Sequence, residues 1–186
     1  MSHDTATPDV PDAADLDLIS AHVRDVPDFP HPGIIFKDIT PLLNHPEAFA
    51  VAVRALAAPF RDSGIDHVVG LEARGFIFGA PVAMALGAGF VPARKAGKLP
   101  SDTIDQAYDL EYGTATVEIH ADAITPGSRV LVVDDVLATG GTGRAAVDLV
   151  RKAGGTVVGF SVLMELSALR GREKMPDVEP RTLLSV

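Results

Sequence analysis

The chain has 186 residues, of which 47% are hydrophobic, and its 25 acidic and 16 basic residues give a formal net charge of −9 at pH 7. This length fits one domain with a sizeable core, and the acidic excess argues against nucleic acid or an anionic membrane as the main partner. The chain has no cysteine, which excludes disulfides and zinc–cysteine sites. It has neither an apolar run of membrane-spanning length nor a signal-peptide pattern at its start, so we expect a soluble, cytoplasmic protein.

The N-terminal part of the chain is expected to hold a tail and a helix. Residues 1–14 are rich in Asp, Pro, Thr and Ala, which predicts a disordered tail before a single domain over residues 15–186. Apolar residues at helical spacing from Leu16 to Val26 predict a helix that Pro27 ends.

A stiff loop is predicted over residues 28–41, because three prolines and a glycine prevent a regular helix there. The apolar run from Ile34 to Phe36 could cover a flat ring, with Phe36 stacking on it and backbone amides contacting the edge of the ring. The alternative is that Phe36 fills the core, as a phenylalanine in a loop usually does.

The next elements are a helix over residues 49–60, with an apolar stripe, and a strand over residues 67–71. The string Glu72-Ala73-Arg74-Gly75 follows directly. Arg74 suits a phosphate oxygen, because its guanidinium is planar and permanently charged. The alternative for Arg74 is an ordinary surface ion pair.

After an apolar helix over residues 75–86 and a short strand, the chain concentrates three bases, Arg94, Lys95 and Lys98, in an otherwise acidic protein. Basic runs are usually solvated faces, but this one could bind an anionic group of a ligand. Residues 101–113 are polar without a clear period, which predicts a flexible lid that would exclude water from a binding site.

The most informative stretch spans residues 129–142. Val130 opens a β-branched apolar run typical of a buried strand, and Asp134 and Asp135 follow where that strand should end. A short loop then leads into a helix through Ala138, Thr139, Gly140, Gly141 and Thr142.

This loop has the features of a site for a phosphorylated ribose. Its glycines allow a tight turn, and the amides that they expose can hold a phosphate at the start of the helix. The paired acids can accept hydrogen bonds from sugar hydroxyls or help to hold a Mg²⁺ already bound to the ligand. The alternative is an ordinary strand–turn–helix corner with acids at its solvent edge.

Towards the C-terminus, residues 156–166 predict another buried strand, residues 171–174 a solvated surface, and residues 182–186 a short edge strand. Strands that alternate with helices predict an α/β fold with a mostly parallel, twisted sheet flanked by helices. In such folds the ligand binds at the carboxyl ends of the strands, where Asp134, Glu72 and the basic cluster that begins at Arg94 all fall.

Four stretches of the chain resemble one enzyme family. Val-Val-Asp-Asp-Val-Leu-Ala-Thr-Gly-Gly-Thr at 132–142 resembles the 5-phosphoribosyl 1-pyrophosphate (PRPP) motif of the type I phosphoribosyltransferases. The stretches at 29–38, 70–76 and 108–113 are similar to segments of the adenine phosphoribosyltransferases, namely Phe-Pro-His-Pro-Gly-Ile-Ile-Phe-Lys-Asp, Gly-Leu-Glu-Ala-Arg-Gly-Phe and Tyr-Asp-Leu-Glu-Tyr-Gly. The resemblance departs mildly at Lys37, where other members carry Arg, and at Val136, where Leu is usual.

The resemblance implies a purine-salvage transferase, Mg²⁺-dependent, that converts adenine and PRPP to AMP and pyrophosphate through an oxocarbenium-like transition state. It implies a type I phosphoribosyltransferase fold with a small N-terminal hood over about residues 28–41, a flexible catalytic loop and a cis peptide bond between Glu72 and Ala73. It also implies a homodimer, with bases between Arg94 and Lys98 reaching the neighbouring site.

The resemblance further implies three groups of site residues. The catalytic residues would be Glu111, which would manage the proton of the purine, Tyr112 beside it, and Arg74. The residues for PRPP or AMP would be Glu72, Ala73, Arg94, Lys95, Lys98, Asp134, Asp135, Ala138, Thr139, Gly140, Gly141 and Thr142. The residues for adenine would be Ile35, Phe36, Lys37 and Leu166. Mg²⁺ would be bound mainly through PRPP, with Asp134 and Asp135 as its candidate protein ligands.

Other functions fit the sequence less well. A phosphoribosyltransferase for another base, such as a 6-oxopurine, is disfavoured by the hood and the Leu-Glu-Tyr-Gly string. A protein that senses PRPP without catalysis would need a nucleic-acid surface or an extra domain. In a dinucleotide-binding domain the glycines come first and the acid about 20 residues later, which is the reverse of the order here. A Walker P-loop would need Gly-Lys-Ser or Gly-Lys-Thr after the glycines.

Overall fold

The computed structural model describes residues 10–109 and 113–186. The helices of these residues are α1 (Ala13–Ala21), α2 (Thr40–Leu43), α3 (Pro46–Ala57), α4 (Gly75–Leu86) and α5 (Gly141–Lys152). The strands are β1 (Arg24–Pro27), β2 (Ile35–Asp38), β3 (His67–Leu71), β4 (Gly89–Lys95), β5 (Thr103–Asp109), β6 (Thr114–His120), β7 (Arg129–Leu137), β8 (Thr156–Glu165) and β9 (Pro180–Ser185). Short 3₁₀ turns follow α3 and β8.

The described residues form a seven-stranded sheet in the order β5–β6–β4–β3–β7–β8–β9. Neighbouring strands from β4 through β9 in this order are parallel, whereas the β5–β6 hairpin joins β4 in antiparallel pairing. Helices cover both faces of the parallel part, as they must when a parallel sheet buries both of its faces. The predicted α/β fold is confirmed, and so is the C-terminal edge strand.

Strand β7 is the centre of the packing, because its first residues are buried on both faces of the sheet. Val130 and Val132 belong to the core that lies between the sheet and α5. Leu131 and Val133 belong to the core between the sheet and the helices α1, α3 and α4. The alternation follows from the two-residue period of a strand, and it fixes where the carboxyl end of β7 emerges.

The N-terminal helix is shorter than predicted. It was expected up to Val26 but ends at Ala21, and the chain then forms β1, which pairs antiparallel with β2 so that Val26 lies opposite Phe36. A cross-strand ion pair of 2.8 Å between Lys37 Nζ and Asp25 Oδ1 supports this register. The spacing of a short apolar run does not separate helix from strand, and here pairing with β2 decides between them. We call the β1–β2 pair the hood.

The start of α1 also differs from the predicted boundary. Asp12 caps the helix, with Asp15 completing a reciprocal capping box, so the helix begins at Ala13 within the predicted tail of residues 1–14. Residues 1–9 of that tail lie outside the described residues.

The irregular loop predicted over residues 101–113 is wrong for residues 103–109, which form β5 and pair along their whole length with β6. The lid role predicted for this segment stays a prediction. The hairpin packs on α5, where Lys152 Nζ donates a 2.7 Å hydrogen bond to the carbonyl oxygen of Asp105. Its polar composition reflects a strand at the edge of the sheet with little apolar burial, which a periodicity argument misses.

Within residues 10–109 and 113–186, no helix has the length and apolar character needed to cross a bilayer.

We predict that Gly159→Ala destabilises the fold. A Cβ at position 159 would lie 2.4 Å from Cε1 of Phe60, whose side chain is buried in the core on the α3 side. Overpacking of this kind costs about 1–3 kcal/mol of unfolding free energy, which urea denaturation measures. In the double variant with Phe60→Leu, the cost of Gly159→Ala should shrink, because the ring that it strikes is gone. An unchanged unfolding midpoint for Gly159→Ala would contradict the packing described.

Candidate active site

A cavity of about 330 Å³ opens at the carboxyl ends of β3 and β7. Parallel strands end at the same edge of a sheet, so the loops after β3 and β7 meet there. The cavity is lined by Glu72, Ala73, Arg74, Asp134, Asp135, Val136, Leu137, Ala138, Thr139, Gly140, Gly141, Thr142, Gly143 and Phe160. The structure therefore brings together the two motifs that lie about 60 residues apart in sequence. The peptide bond between Glu72 and Ala73 is cis, as predicted.

The loop from Ala138 to Gly141 forms one wall of this cavity. β7 runs to Leu137, and α5 begins at Gly141, so the amides of the first turn of α5 face the site where the chain reverses. Gly140 has φ +79°, a conformation that favours glycine. A Cβ at Gly140 would also lie 2.3 Å from the carbonyl oxygen of Gly171. The turn therefore requires glycine both for its backbone angles and for its contact with the next loop.

The paired acids lie inside β7 rather than beyond its end. Asp135 is buried, and the backbone N–H of Asp135 donates a 2.9 Å hydrogen bond to Oδ1 of Asp134. Asp134 is half-buried at the cavity wall. Burial, and then the negative charge of Asp135, raise the pKa of the Asp134 carboxyl well above its ordinary value of 3.8.

Arg74 connects the acids with the hood. Its Nε lies 2.5 Å from Oδ2 of Asp135, and its guanidinium carbon lies 5.5 Å from the centre of the Phe36 ring. The Arg74 side chain remains 44% exposed, so part of the guanidinium still faces the cavity. Of the two interpretations open for Arg74, the structure shows an ion pair, but one with a buried acid inside the site rather than on the outer surface.

The basic run does not lie on the cavity wall. Lys95 donates its backbone N–H to Oε2 of Glu72 at 3.0 Å, and Arg94 Nε and Lys98 Nζ approach the same carboxylate at 3.3 Å and 3.8 Å. The Lys95 amide contributes most to lowering the pKa of Glu72, and burial opposes it. The lining of the cavity includes Glu72 but none of the three bases. In this structure Glu72 therefore separates the predicted pyrophosphate-binding bases from the cavity.

A second, smaller cavity of about 110 Å³ adjoins the first. It is lined by Ile34, Ile35, Phe36, Lys37, Arg74, Asp135, Val136, Met164 and Leu166. All four residues predicted for adenine are among them. Phe36 is half-buried and meets Phe29 edge to face, with ring centres 5.2 Å apart. Phe36 thus lines a cavity and does not fill the core, which rules out the alternative interpretation.

The two cavities share the wall formed by Arg74, Asp135 and Val136. One cavity has a loop of backbone amides at the start of a helix, which suits a phosphate. The other has apolar side chains and an aromatic ring, which suit a flat base. Their junction is the place where a bond between a phosphorylated sugar and a base would be made or broken.

Comparison with known proteins agrees with this arrangement. A family model described as a phosphoribosyl transferase domain matches residues 39–184. An adenine phosphoribosyltransferase from Thermobifida fusca is 71% identical over 91% of this chain and 96% of its own length. The chain belongs to the adenine phosphoribosyltransferase family.

Solved structures of family members have the same fold. The adenine phosphoribosyltransferase from Rhodothermus marinus is 53% identical and superimposes with a TM-score of 0.90, over 94% of this chain and all of the other. The enzyme from Saccharomyces cerevisiae, complexed with D-2,5-dideoxy-2,5-imino-altritol 1,6-bisphosphate and adenine, is 41% identical with a TM-score of 0.88. That match covers 93% of this chain and 100% of the yeast chain.

Two residues that the family resemblance predicts to be catalytic, Glu111 and Tyr112, lie outside the described residues. The structure does place the segment just before them. A Cβ at Gly141 would lie 3.3 Å from the carbonyl oxygen of Asp109 and 3.4 Å from Cδ2 of Tyr108. The end of β5 therefore packs on the first turn of α5, at the edge of the cavity.

Residues 171–174, predicted to be solvated surface, instead include part of the support of the site. Gly171 is buried against the loop between β7 and α5, and Arg172 binds Oε2 of Glu165 at 2.6 Å. Glu173 and Lys174 are exposed, as predicted. A Gly-Arg-Glu-Lys string looks like a surface turn, and the contact arises only when β8 and β9 bring this segment behind the loop between β7 and α5. No signal within the string distinguishes Arg172 from the other bases.

We predict that Asp134→Asn stabilises the protein at neutral pH. Because the pKa of Asp134 is raised in the folded state, the folded protein holds this proton more tightly than the unfolded chain does. At a pH above the ordinary pKa of 3.8, ionisation of this carboxyl therefore lowers the stability of the folded protein. At a pH below 3.8 the carboxyl is protonated in both the folded and the unfolded protein, and the cost is absent. Asparagine keeps the oxygen that accepts the Asp135 amide.

The measurement is the free energy of unfolding of wild type and Asp134→Asn across the acidic to neutral range. The difference should be largest at neutral pH and should close as the pH falls. Asp122→Asn, the same change on an exposed residue, is the control and should change stability little. Equal stability of wild type and Asp134→Asn at neutral pH would contradict the electrostatic cost.

Proposed function

We propose that the protein converts adenine and PRPP to AMP and pyrophosphate. The observation that carries this proposal is the pair of adjoining cavities that share Arg74, Asp135 and Val136. The 71% identity with an adenine phosphoribosyltransferase supports the choice of reaction. The yeast relative, whose structure holds adenine together with a bisphosphorylated iminosugar, supports the choice of base and sugar.

In this proposal the larger cavity binds the phosphorylated ribose. The amides from Thr139 to Thr142 and the two threonine hydroxyls hold the 5′-phosphate at the start of α5. Asp134 accepts hydrogen bonds from the ribose hydroxyls. Glu72 and Ala73 form the opposite wall, where the pyrophosphate leaves.

The smaller cavity binds adenine. Phe36 supplies a ring face, while Ile35 and Leu166 enclose the base from the hood and from the end of β8. Lys37 borders the same cavity from strand β2, and its side chain is held by Asp25. Backbone groups on such a strand can distinguish an amino group from a carbonyl on the purine, because each presents the opposite hydrogen-bonding pattern.

The reaction centre lies at the shared wall. As the bond between the sugar and pyrophosphate breaks, positive charge grows on the ribose ring and negative charge on the leaving group. Arg74 can stabilise the departing charge from its position beside Asp135, and Asp134 lies close enough to favour the positive ring. Glu111 is the proposed acceptor of the purine proton, on the strength of its family resemblance.

The carboxylates of Asp134 and Asp135 also fit a role beside Mg²⁺, because hard oxygen ligands are the ones that Mg²⁺ prefers. Two carboxylates, one of them already paired with Arg74, would complete the coordination of an ion that PRPP carries rather than hold it alone. When bound with PRPP, the ion would neutralise charge on the pyrophosphate.

The direct test is AMP formation from adenine, PRPP and Mg²⁺, with hypoxanthine, guanine and uracil assayed in parallel. With PRPP and Mg²⁺ present, we expect turnover of adenine and of none of the other three bases. Asp134→Asn is the control for activity that comes from contaminating enzymes. The variant should fold, but its turnover should fall about ten- to a hundredfold, because it loses one charge-assisted hydrogen bond to the ribose. Turnover of another base would contradict the adenine assignment, and PRPP binding without any turnover would contradict the enzymatic function.

We also propose that the protein is a homodimer whose interface includes α4. This helix contains no charged residue, and a helix that is apolar all round is normally buried. One of its faces packs in the core, yet Ile77 and Met84 on another face are 38% and 83% exposed. A second copy of the chain would cover this face. That copy would lie next to Arg74, which immediately precedes α4.

The cytoplasmic location that the composition indicates stays a prediction.

The homodimer proposal predicts that Ile77→Asp with Met84→Asp yields a monomer. Light scattering during size exclusion should give wild type twice the mass of the 19.5 kDa chain and the variant a single copy. Leu169→Asp, which changes an exposed apolar residue outside α4, is the control and should stay dimeric. A monomeric wild type, or a dimeric α4 variant, would contradict the interface.

A further inference from the structure

Arg172 forms an unusually well-connected contact outside both cavities. Its Nε donates to Oε2 of Glu165 at 2.6 Å, its Nη1 to the carbonyl oxygen of Pro180 at 2.8 Å, and its Nη2 to Oγ1 of Thr182 at 3.1 Å. The Glu165 side chain is only 8% exposed. A planar guanidinium thus joins the end of β8, the start of β9 and the turn that carries Arg172 itself.

On one side this contact supports the loop from Ala138 to Gly141, which the proposed function makes the phosphate loop. Gly171 precedes Arg172, and a Cβ on Gly171 would lie 2.4 Å from the carbonyl oxygen of Ala138. The carbonyl oxygen of Gly171 in turn lies 2.3 Å from the position of a Cβ on Gly140. The two loops leave no room for a side chain between them, so a shift of the turn that carries Arg172 would displace the loop from Ala138 to Gly140.

On the other side the same contact supports the base cavity. Glu165 is followed by Leu166, which lines that cavity and donates its backbone N–H to the carbonyl oxygen of Leu137 at 2.9 Å. Val186 donates its N–H to the carbonyl oxygen of Glu165, also at 2.9 Å. These backbone hydrogen bonds hold Glu165 next to the wall that would contact adenine, and the charged partner of its carboxylate is Arg172.

We infer that Arg172, acting through Glu165 and Gly171, is a positioning residue that sets the distance between the base wall at Leu166 and the phosphate loop at Gly140. Neither Arg172 nor Glu165 lines either cavity, so neither is placed to touch a substrate. The inference rests on the proposed function, because the two walls would bind the two ends of the nucleotide product.

The kinetic signature of this role follows from which groups the two walls would contact. Adenine and the 5′-phosphate flank the reacting carbon, and their contacts are present in the ground state as well as the transition state. Loss of contacts of that kind raises KM and leaves kcat little changed. A purely structural role would instead lower the melting temperature or the active fraction, and KM would stay the same.

The variant that separates these outcomes is Arg172→Lys. Lysine keeps the positive charge beside the buried Glu165, which preserves folding, but a single ammonium cannot reproduce the three-way fork of hydrogen bonds. We expect a melting temperature near that of wild type, a rise of roughly tenfold in KM for both adenine and PRPP, and a smaller change in kcat.

Arg170→Lys is the matched control, because Arg170 lies in the same turn but its side chain is 77% exposed and pairs only loosely with Glu173 at 3.7 Å. Its two KM values should equal those of wild type. The inference is overturned if Arg172→Lys leaves both KM values unchanged, or if Arg170→Lys raises them equally. A wild type without adenine turnover would overturn the proposed function, and this inference with it, whereas an active wild type isolates the test of Arg172.

Discussion

The ion pair between Arg74 and Asp135 is the contact on which both halves of the site depend. Asp135 is buried near the end of the central strand, and an unpaired carboxylate there would cost several kcal/mol. Arg74 compensates its charge, and the same guanidinium lies over Phe36 of the hood. One side chain therefore links the loop after β3, the strand β7 and the hood. The wall shared by the two cavities is built from this link.

The site costs stability where it provides chemistry. The pKa of Asp134 is raised because a carboxylate stands half-buried beside another carboxylate, an arrangement that a sequence selected for stability alone would avoid. The loop contact between Gly140 and Gly171 likewise leaves no room for a side chain. The two apolar cores on either side of β7 provide the stabilising free energy that offsets these costs.

The sequence predicts the fold well where local pattern and tertiary packing agree. Val130 to Val133 read as a strand buried on both faces, and the structure confirms it. Prediction fails where pairing decides the outcome: residues 24–27 join β2, and residues 103–109 join β6, although neither segment has a strong strand pattern of its own. Both segments gain their hydrogen bonds from a partner that the local sequence does not specify.

The candidate site divides in the same way. The loop from Ala138 to Gly141, the acid pair and the smaller cavity lie on residues whose chemistry stands out in the sequence. Gly171 and Arg172 do not stand out in the sequence, because they support the site only once β8 and β9 bring them behind Gly140. The basic run was expected at the cavity, but Glu72 binds it through Arg94 and Lys98 instead. Chemical type shows what a residue can bind, whereas its neighbours determine what it does bind.

The most direct test of the proposed site is a crystal structure of the protein with AMP. We expect the phosphate on the amides from Thr139 to Thr142, the ribose hydroxyls on Asp134 or Asp135, and the adenine ring between Phe36 and Leu166. A phosphate bound to Arg94 and Lys98, or a base outside the cavity beneath the hood, would contradict it.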